Sequence, residues 1–193
     1  MSDKRQLYII GGCNGAGKTT ASYTVLPEIL ECREFVNADE IAKGLSPFNA
    51  NRLGIESGRL MLKRIEELLA TKQNFSVETT LATRSYDRLI RRAQAMDYEV
   101  SLIFFWLNSP ELAVNRVLQR VSNGGHSVPM ETICRRYQGG INNLFKIYMP
   151  IVDYWLLADN SVTPRTIVAE GYKNGKNMIY NIELFNSIKN NVK

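Results

Sequence analysis

Cysteine is scarce in this 193-residue chain, which has only Cys13, Cys32 and Cys134, none of them in C-x-x-C spacing. A disulfide framework and a cysteine zinc site are thereby excluded, and reduced thiols are expected. Histidine is scarcer still, since His126 is the only one. One isolated imidazole makes a poor metal centre, so His126 is read as a loop hydrogen-bonding or phosphate-contacting residue. No apolar run approaches the ~18 residues of a membrane span. Residues 1–6 pass straight into a strand-like segment without a signal-like apolar region, so the expected location is cytoplasmic, with no membrane partner. Internal repeats and low-complexity tracts are also absent. What remains, 45% hydrophobic and 22% charged residues, suits one α/β domain over residues 1–193. The net charge of +5 does not require nucleic acid, because a polyanionic small substrate explains it as well.

Against these absences stands Gly12-Cys13-Asn14-Gly15-Ala16-Gly17-Lys18-Thr19, which fits the phosphate-loop pattern G-x-x-x-x-G-K-[ST]. It follows Leu7-Tyr8-Ile9-Ile10, an apolar run suited to a buried strand. Backbone N–H groups of such a loop form an anion nest at a helix N-terminus. The Lys18 ammonium is expected to reach the β- and γ-phosphates, and the Thr19 hydroxyl to hold Mg²⁺. Nucleotide contacts are assigned to Gly12, Asn14, Gly15, Ala16, Gly17, Lys18, Thr19 and Thr20, with ATP and Mg²⁺ as the cofactors. Cys13 lies among amides able to lower a thiol's pKa, but is read as a passive filler.

Strand and helix signals alternate along the chain, which points to a mostly parallel sheet covered on both faces. A helix is expected from Lys18 until Pro27, and a strand at Glu34 to Asn37. Met61, Leu62, Ile65, Leu68 and Leu69 predict a core-facing helix, and Phe75 to Val77 a strand ending in Glu78-Thr79-Thr80. Leu89, Ile90, Ala93 and Met96 predict a further helix. Val100 to Leu107 reads as a central strand, with Phe104, Phe105 and Trp106 as core residues. Ser109-Pro110-Glu111 is a helix start followed by Val114, Val117, Leu118 and Val121. Pro129 opens another helix, which Gly139-Gly140 can interrupt. Tyr154 to Ala158 is a strand beginning beside Trp155. Thr166 to Tyr172 and Lys176 to Tyr180 form a hairpin with a type I′ turn at Asn174-Gly175. A short helix ends the chain.

In open α/β sheets ligands bind beyond the carboxyl ends of the strands. Asp39, Glu78 with Thr80, Asn108 with Ser109, and Asp159 to Ser161 all follow such ends, on the same rim as the phosphate loop. Asp39 is the candidate general base. Glu78 is assigned to the substrate or to a magnesium-bound water, and Thr80 to a substrate hydrogen bond. Arg116 and Arg120 lie on one helical face, and Arg135 and Arg136 follow the loop from Asn123 to Pro129. A glycine-hinged loop between arginine-bearing helices reads as a lid over about residues 116–137, bringing Arg120 and Arg135 over the phosphates. The apolar strand Val100 to Leu107 ends in Asn108 instead of a Walker B aspartate, which argues against a switch or motor ATPase.

The segments GGCNGAGKTT, FVNADEIA, FSVETTLATRS, RVLQRVSNGGHSVPMETICRRY and ADNS occur in the order of the zeta toxin family of P-loop kinases, which the chain resembles from about Leu7 to Ser161. The resemblance implies a nucleotide-kinase-type fold with a five-stranded sheet of order 2-3-1-4-5, to which the C-terminal β-hairpin is appended. It further implies ATP-dependent phosphorylation of the 3′-hydroxyl of the sugar in UDP-N-acetylglucosamine, and a small helical epsilon-type antitoxin as partner. In that frame Lys18, Asp39, Arg120 and Arg135 are the catalytic residues, and Glu78 and Thr80 contact substrate, with Arg116 or Arg136 as alternatives for either arginine. Thr79 stands where the toxins usually carry glycine, and the chain is shorter than the well-known toxins. Kinases for other small metabolites or nucleosides share the same roles.

Overall fold

The computed structural model describes residues 4–47, 49–125 and 127–193. The chain alternates as predicted: β1 (Arg5–Gly11), α1 (Lys18–Glu28), β2 (Glu34–Val36), α2 (Ala38–Leu45), α3 (Gly54–Ala70), β3 (Phe75–Thr79), α4 (Tyr86–Ala95), β4 (Tyr98–Trp106), α5 (Pro110–Ser122), α6 (Met130–Asn143), β5 (Tyr154–Asp159), β6 (Thr166–Tyr172), β7 (Met178–Ile179) and α7 (Ile182–Asn190). The strand order is β2-β3-β1-β4-β5-β6-β7. The first five strands run parallel, in the expected 2-3-1-4-5 order.

The period-two alternation of the strands divides the core between the two faces. Leu7 and Ile9 of β1 join Val100, Leu102 and Phe104 of β4 on one side, under α3, α4 and α7. Tyr8 and Ile10 point the other way and meet Phe105 and the apolar residues of α1 and α5. Strands buried on both faces need no polar side, which is why the central strands read as nearly continuous apolar runs. The aromatics of β4 and Trp155 are buried, as expected.

Five expectations are corrected. The described residues form a sheet of seven strands, not five, because β6 pairs antiparallel with β5 and β7 with β6. The hairpin is thus part of the sheet. Its turn is not type I′, since neither Asn174 nor Gly175 adopts the positive φ that this turn requires. Instead Gly175 N donates to Tyr172 O at 3.1 Å, and β7 is only two exposed residues long. Pro27 does not end α1, which runs on to Glu28. Gly139-Gly140 does not interrupt α6, which passes through both and then widens into a π-helical turn over Leu144–Tyr148. Leu62 and Leu118 lie off their apolar stripes and are 65% and 61% exposed.

Candidate active site

The loop between β1 and α1 closes onto the strand ends because its glycines occupy backbone that other residues resist. Gly12 has φ +139, and a Cβ there would lie 2.4 Å from Phe105 O. Gly17 has φ +77, and its Cβ would meet the Asn160 amide at 2.6 Å. That amide instead donates from Nδ2 to Ala16 O at 2.8 Å. Arg116 fixes the segment after β5 by donating to Asn160 O at 2.8 Å and Ser161 O at 2.9 Å. From α6, Arg136 donates to Asn14 Oδ1 at 3.2 Å. The loop is therefore braced by both arginine-bearing helices, through Arg116 and Arg136.

Lys18 starts α1 and is 7% exposed, its Nζ donating to Cys13 O at 3.0 Å and lying 3.5 Å from Glu78 Oε1. Glu78 reaches the loop because β3 pairs with β1, placing Glu78 beside Ile10 and Thr79 beside Gly11. Its Oε2 accepts from Thr19 Oγ1 at 2.7 Å and from Asn37 Nδ2 at 2.8 Å. Asn37, at the start of α2, uses its Oδ1 to accept from the N–H of Asp39 at 2.8 Å. Asp39 is exposed in the first turn of α2.

Two clefts flank the end of β3, one reaching Glu78 and the other Thr79. The first, about 740 Å³, is lined by Lys18, Thr19, Asp39, Glu78, Arg116 and Arg120 among others. The second, about 670 Å³, is lined by Arg59, Thr79, Thr80, Thr83, Arg135 and Arg136 among others, and among the described residues no Asp or Glu lines it. The fold thus brings Lys18, Thr19, Asp39, Glu78 and Arg120 into one cleft but places Thr80 and Arg135 in the neighbouring one. Thr80 is held by its surroundings. Thr79 Oγ1 accepts from Leu81 N at 3.1 Å, and Asn143 Nδ2 donates to Leu81 O at 2.8 Å. His126 lies outside the described residues.

Hard divalent cations prefer oxygen donors, and magnesium keeps waters and substrate phosphates in its shell. Among the described residues no cluster of three or more Asp, Glu, His or Cys side chains is able to hold a metal alone. A hydroxyl on a carboxylate beside a phosphate loop suits an ion that shares its shell with phosphate, so Thr19 and Glu78 fit magnesium.

Asn37 and Arg59 were not singled out from the sequence. For Asn37 a signal existed: an asparagine directly before Ala-Asp-Glu has the form of a helix N-cap followed by an acidic first turn. Arg59 carries no such signal, because its helical position does not say which cleft its face lines.

Burial pushes the Cys13 thiol up to about 11, against the lowering effect of Lys18, its own backbone and Arg116. The passive reading therefore holds, and burial likewise raises the Cys32 thiol. A raised thiol pKa keeps the unreactive protonated form across neutral pH. Iodoacetamide at pH 8 is expected to label exposed Cys134 and to spare Cys13 and Cys32 until the protein is denatured, as read by peptide mass spectrometry.

Among the described residues no helix is long and apolar enough to cross a membrane. A family model described as Zeta toxin matches residues 2–184. An uncharacterized protein of Haemophilus influenzae is 26% identical over 137 residues, covering 71% of this chain and 94% of its own length. The AvrRxo1-ORF1:AvrRxo1-ORF2 complex, known with sulphate ions and with ATP, contains a chain that superposes with TM-score 0.78 at 18% identity over 96% of this chain. The present chain spans only 63% of that one. A structure from the PezAT chromosomal toxin-antitoxin system of Streptococcus pneumoniae gives 0.64 at 15% identity, covering 98% of this chain and 86% of its own. A gluconokinase from Sinorhizobium meliloti 1021 gives 0.52 at 15% identity over 84% and 86%. Fold, phosphate loop and a family match over nearly the whole length agree that this chain belongs to the zeta toxin family of P-loop kinases.

Proposed function

We propose that the protein transfers the γ-phosphate of ATP to a hydroxyl group of a small anionic acceptor, with a UDP-N-acetyl sugar as the acceptor that the family membership suggests. The observation that carries this reading is the pair of clefts on either side of the end of β3. One holds the phosphate loop with Asp39, and the other is lined by hydroxyls, arginines and apolar side chains, with no carboxylate among the described residues. A plain nucleotide hydrolase has no need of the second.

In this reading the acceptor lies in the second cleft, bound by Thr80 and Arg135, with its hydroxyl presented to Asp39. Asp39 takes the hydroxyl proton while the oxygen attacks the γ-phosphorus and the bond to the β-bridging oxygen breaks, releasing ADP. Lys18 and Arg120 neutralise charge on the leaving and equatorial oxygens. Thr19 and Glu78 would hold Mg²⁺, and the contact of Glu78 with Thr19 favours this role over contact with the acceptor. The ion supplies Lewis-acid neutralisation of the phosphates. Movement of α5 and α6 toward each other brings Arg120 and Arg135 together over the phosphates. A small helical antitoxin is proposed as partner, in keeping with the toxin-antitoxin system to which the pneumococcal neighbour belongs.

The test is incubation with labelled ATP, Mg²⁺ and a panel of sugar nucleotides, followed by chromatography of the acceptor. A phosphorylated acceptor is expected, with turnover about 10³-fold lower in Asp39→Asn. Slow ATP hydrolysis without a labelled acceptor, equal in wild type and Asp39→Asn, would replace this reading with a nucleotide switch.

A further inference from the structure

One buried amide ties Glu78 of the first cleft to the helix turn that carries Asp39. Asn37 is 5% exposed. Its Nδ2 donates to Glu78 Oε2 at 2.8 Å, the oxygen that also takes the Thr19 hydroxyl at 2.7 Å. Its Oδ1 accepts from Asp39 N at 2.8 Å and from Glu40 N at 3.4 Å, capping α2. The sheet enforces this placement: β2 and β3 pair in parallel with Val36 opposite Val77, so the next residues, Asn37 and Glu78, come side by side. Asparagine suits the position chemically. Aspartate and serine cap helices as well, but neither carries an amide N–H to give Glu78 while its oxygen caps the helix, and glutamine is one methylene too long.

We infer that Asn37 is a positioning residue for the transfer reaction, a single amide that fixes the Thr19–Glu78 pair on the metal side and the Asp39-bearing turn of α2 on the base side. The inference rests on the proposed kinase reading. With Asn37 removed, Glu78 keeps the Thr19 hydroxyl and Lys18 but loses its tie to α2, and the first turn of α2 loses its register against β3. Supporting partners of this kind typically change metal affinity or activity by about 10–100-fold.

The test separates capping from coupling. Asn37→Ser keeps a capping oxygen and removes the donor to Glu78, whereas Asn37→Ala removes both. Affinity for a fluorescent ADP analogue is measured with and without Mg²⁺, alongside turnover and thermal melting. If Asn37 couples Glu78 to the Asp39-bearing turn, Asn37→Ser melts like wild type, loses about tenfold of the Mg²⁺-dependent gain in affinity, and falls at least tenfold in kcat. Metal-free affinity stays at the wild-type value. Asn37→Asp is isosteric and an equally strong cap, which protects the test should the serine variant unfold. Facing Glu78 with a second carboxylate, it is expected to turn over still more slowly. Wild-type Mg²⁺-dependent gain and kcat in Asn37→Ser, with a defect confined to Asn37→Ala, would reduce Asn37 to a cap and overturn the inference. Because the binding arm needs no acceptor, absence of phosphoryl transfer in wild type would defeat the kinase reading and still leave the Asn37 result legible.

Discussion

Lys18→Met is expected to lower phosphoryl transfer by about 10⁴-fold, the scale at which a cation on the transferred group acts in P-loop enzymes. Methionine keeps the length of the side chain and removes its charge, so the loss is electrostatic. The same substitution reports on the resting site. Lys18 and Glu78 are 7% and 10% exposed and 3.5 Å apart, and removing one partner of a buried pair leaves the other charge uncompensated. Here Glu78 retains two neutral donors, Thr19 at 2.7 Å and Asn37 at 2.8 Å, which soften the penalty. A loss of about 1–2 kcal/mol is expected, roughly 5 °C in melting temperature for a chain of this size. Combining Lys18→Met with Glu78→Gln is expected to recover most of that stability and none of the activity, because the amide no longer buries a charge while the phosphates still lack their cation. Parallel calorimetry and turnover of the single and double variants check this. Equal melting of Lys18→Met and wild type would show that the apo pair contributes nothing to folding. Turnover of Lys18→Met within tenfold of wild type would remove Lys18 from the chemistry.

The sequence carried the local half of this site. The spacing from Gly12 to Thr19 dictates the loop, and the apolar β1 before it dictates where that loop sits, so these residues needed no tertiary information. Ser109 behaves as the N-cap its neighbours announce, its Oγ accepting from Leu112 N at 3.1 Å. The pairings between distant segments were less legible. Glu78 meets Thr19 across 59 positions of sequence and Asn37 across 41. Both contacts follow from strand register, which apolar runs do not specify when both faces are buried. Glu78 at the end of β3 was legible as a rim carboxylate, but its contact with the Thr19 hydroxyl rests on the pairing of β3 with β1. Helical periodicity likewise gave Arg120 and Arg135 their faces without assigning them to different clefts. At Asn174-Gly175 a strong local turn signal was overridden, because β7 is a short exposed edge with no buried alternation to hold a two-residue connection in register.

The glycine pair of α6 supplies the largest expected change in stability. At Gly140 an added Cβ would lie 2.6 Å from Thr80 O, whereas at Gly139 the nearest atom, Ala82 Cβ, is 3.5 Å away, an ordinary contact. The Thr80 carbonyl has little freedom to retreat. The following residue, Leu81, is fully buried with φ +55, its N–H held by Thr79 and its carbonyl by Asn143. The helix must therefore move, and α6 is also the element that carries Arg135 and Arg136 to the second cleft. Gly140→Val is expected to cost about 3 kcal/mol by overpacking, lowering the melting temperature by roughly 6–12 °C. Gly140→Ala is milder, because the better helix propensity of alanine returns about 1 kcal/mol. Gly139→Ala meets no clash and keeps that gain, so it is expected to melt at or slightly above wild type. In activity, Gly140→Ala is expected to raise KM for the acceptor more than KM for ATP, since the phosphate loop keeps its brace from Arg116 and Asn160 when Arg136 shifts with α6. Were Gly139→Ala and Gly140→Ala to melt together, the close approach of α6 to Thr80 would not be what requires glycine there.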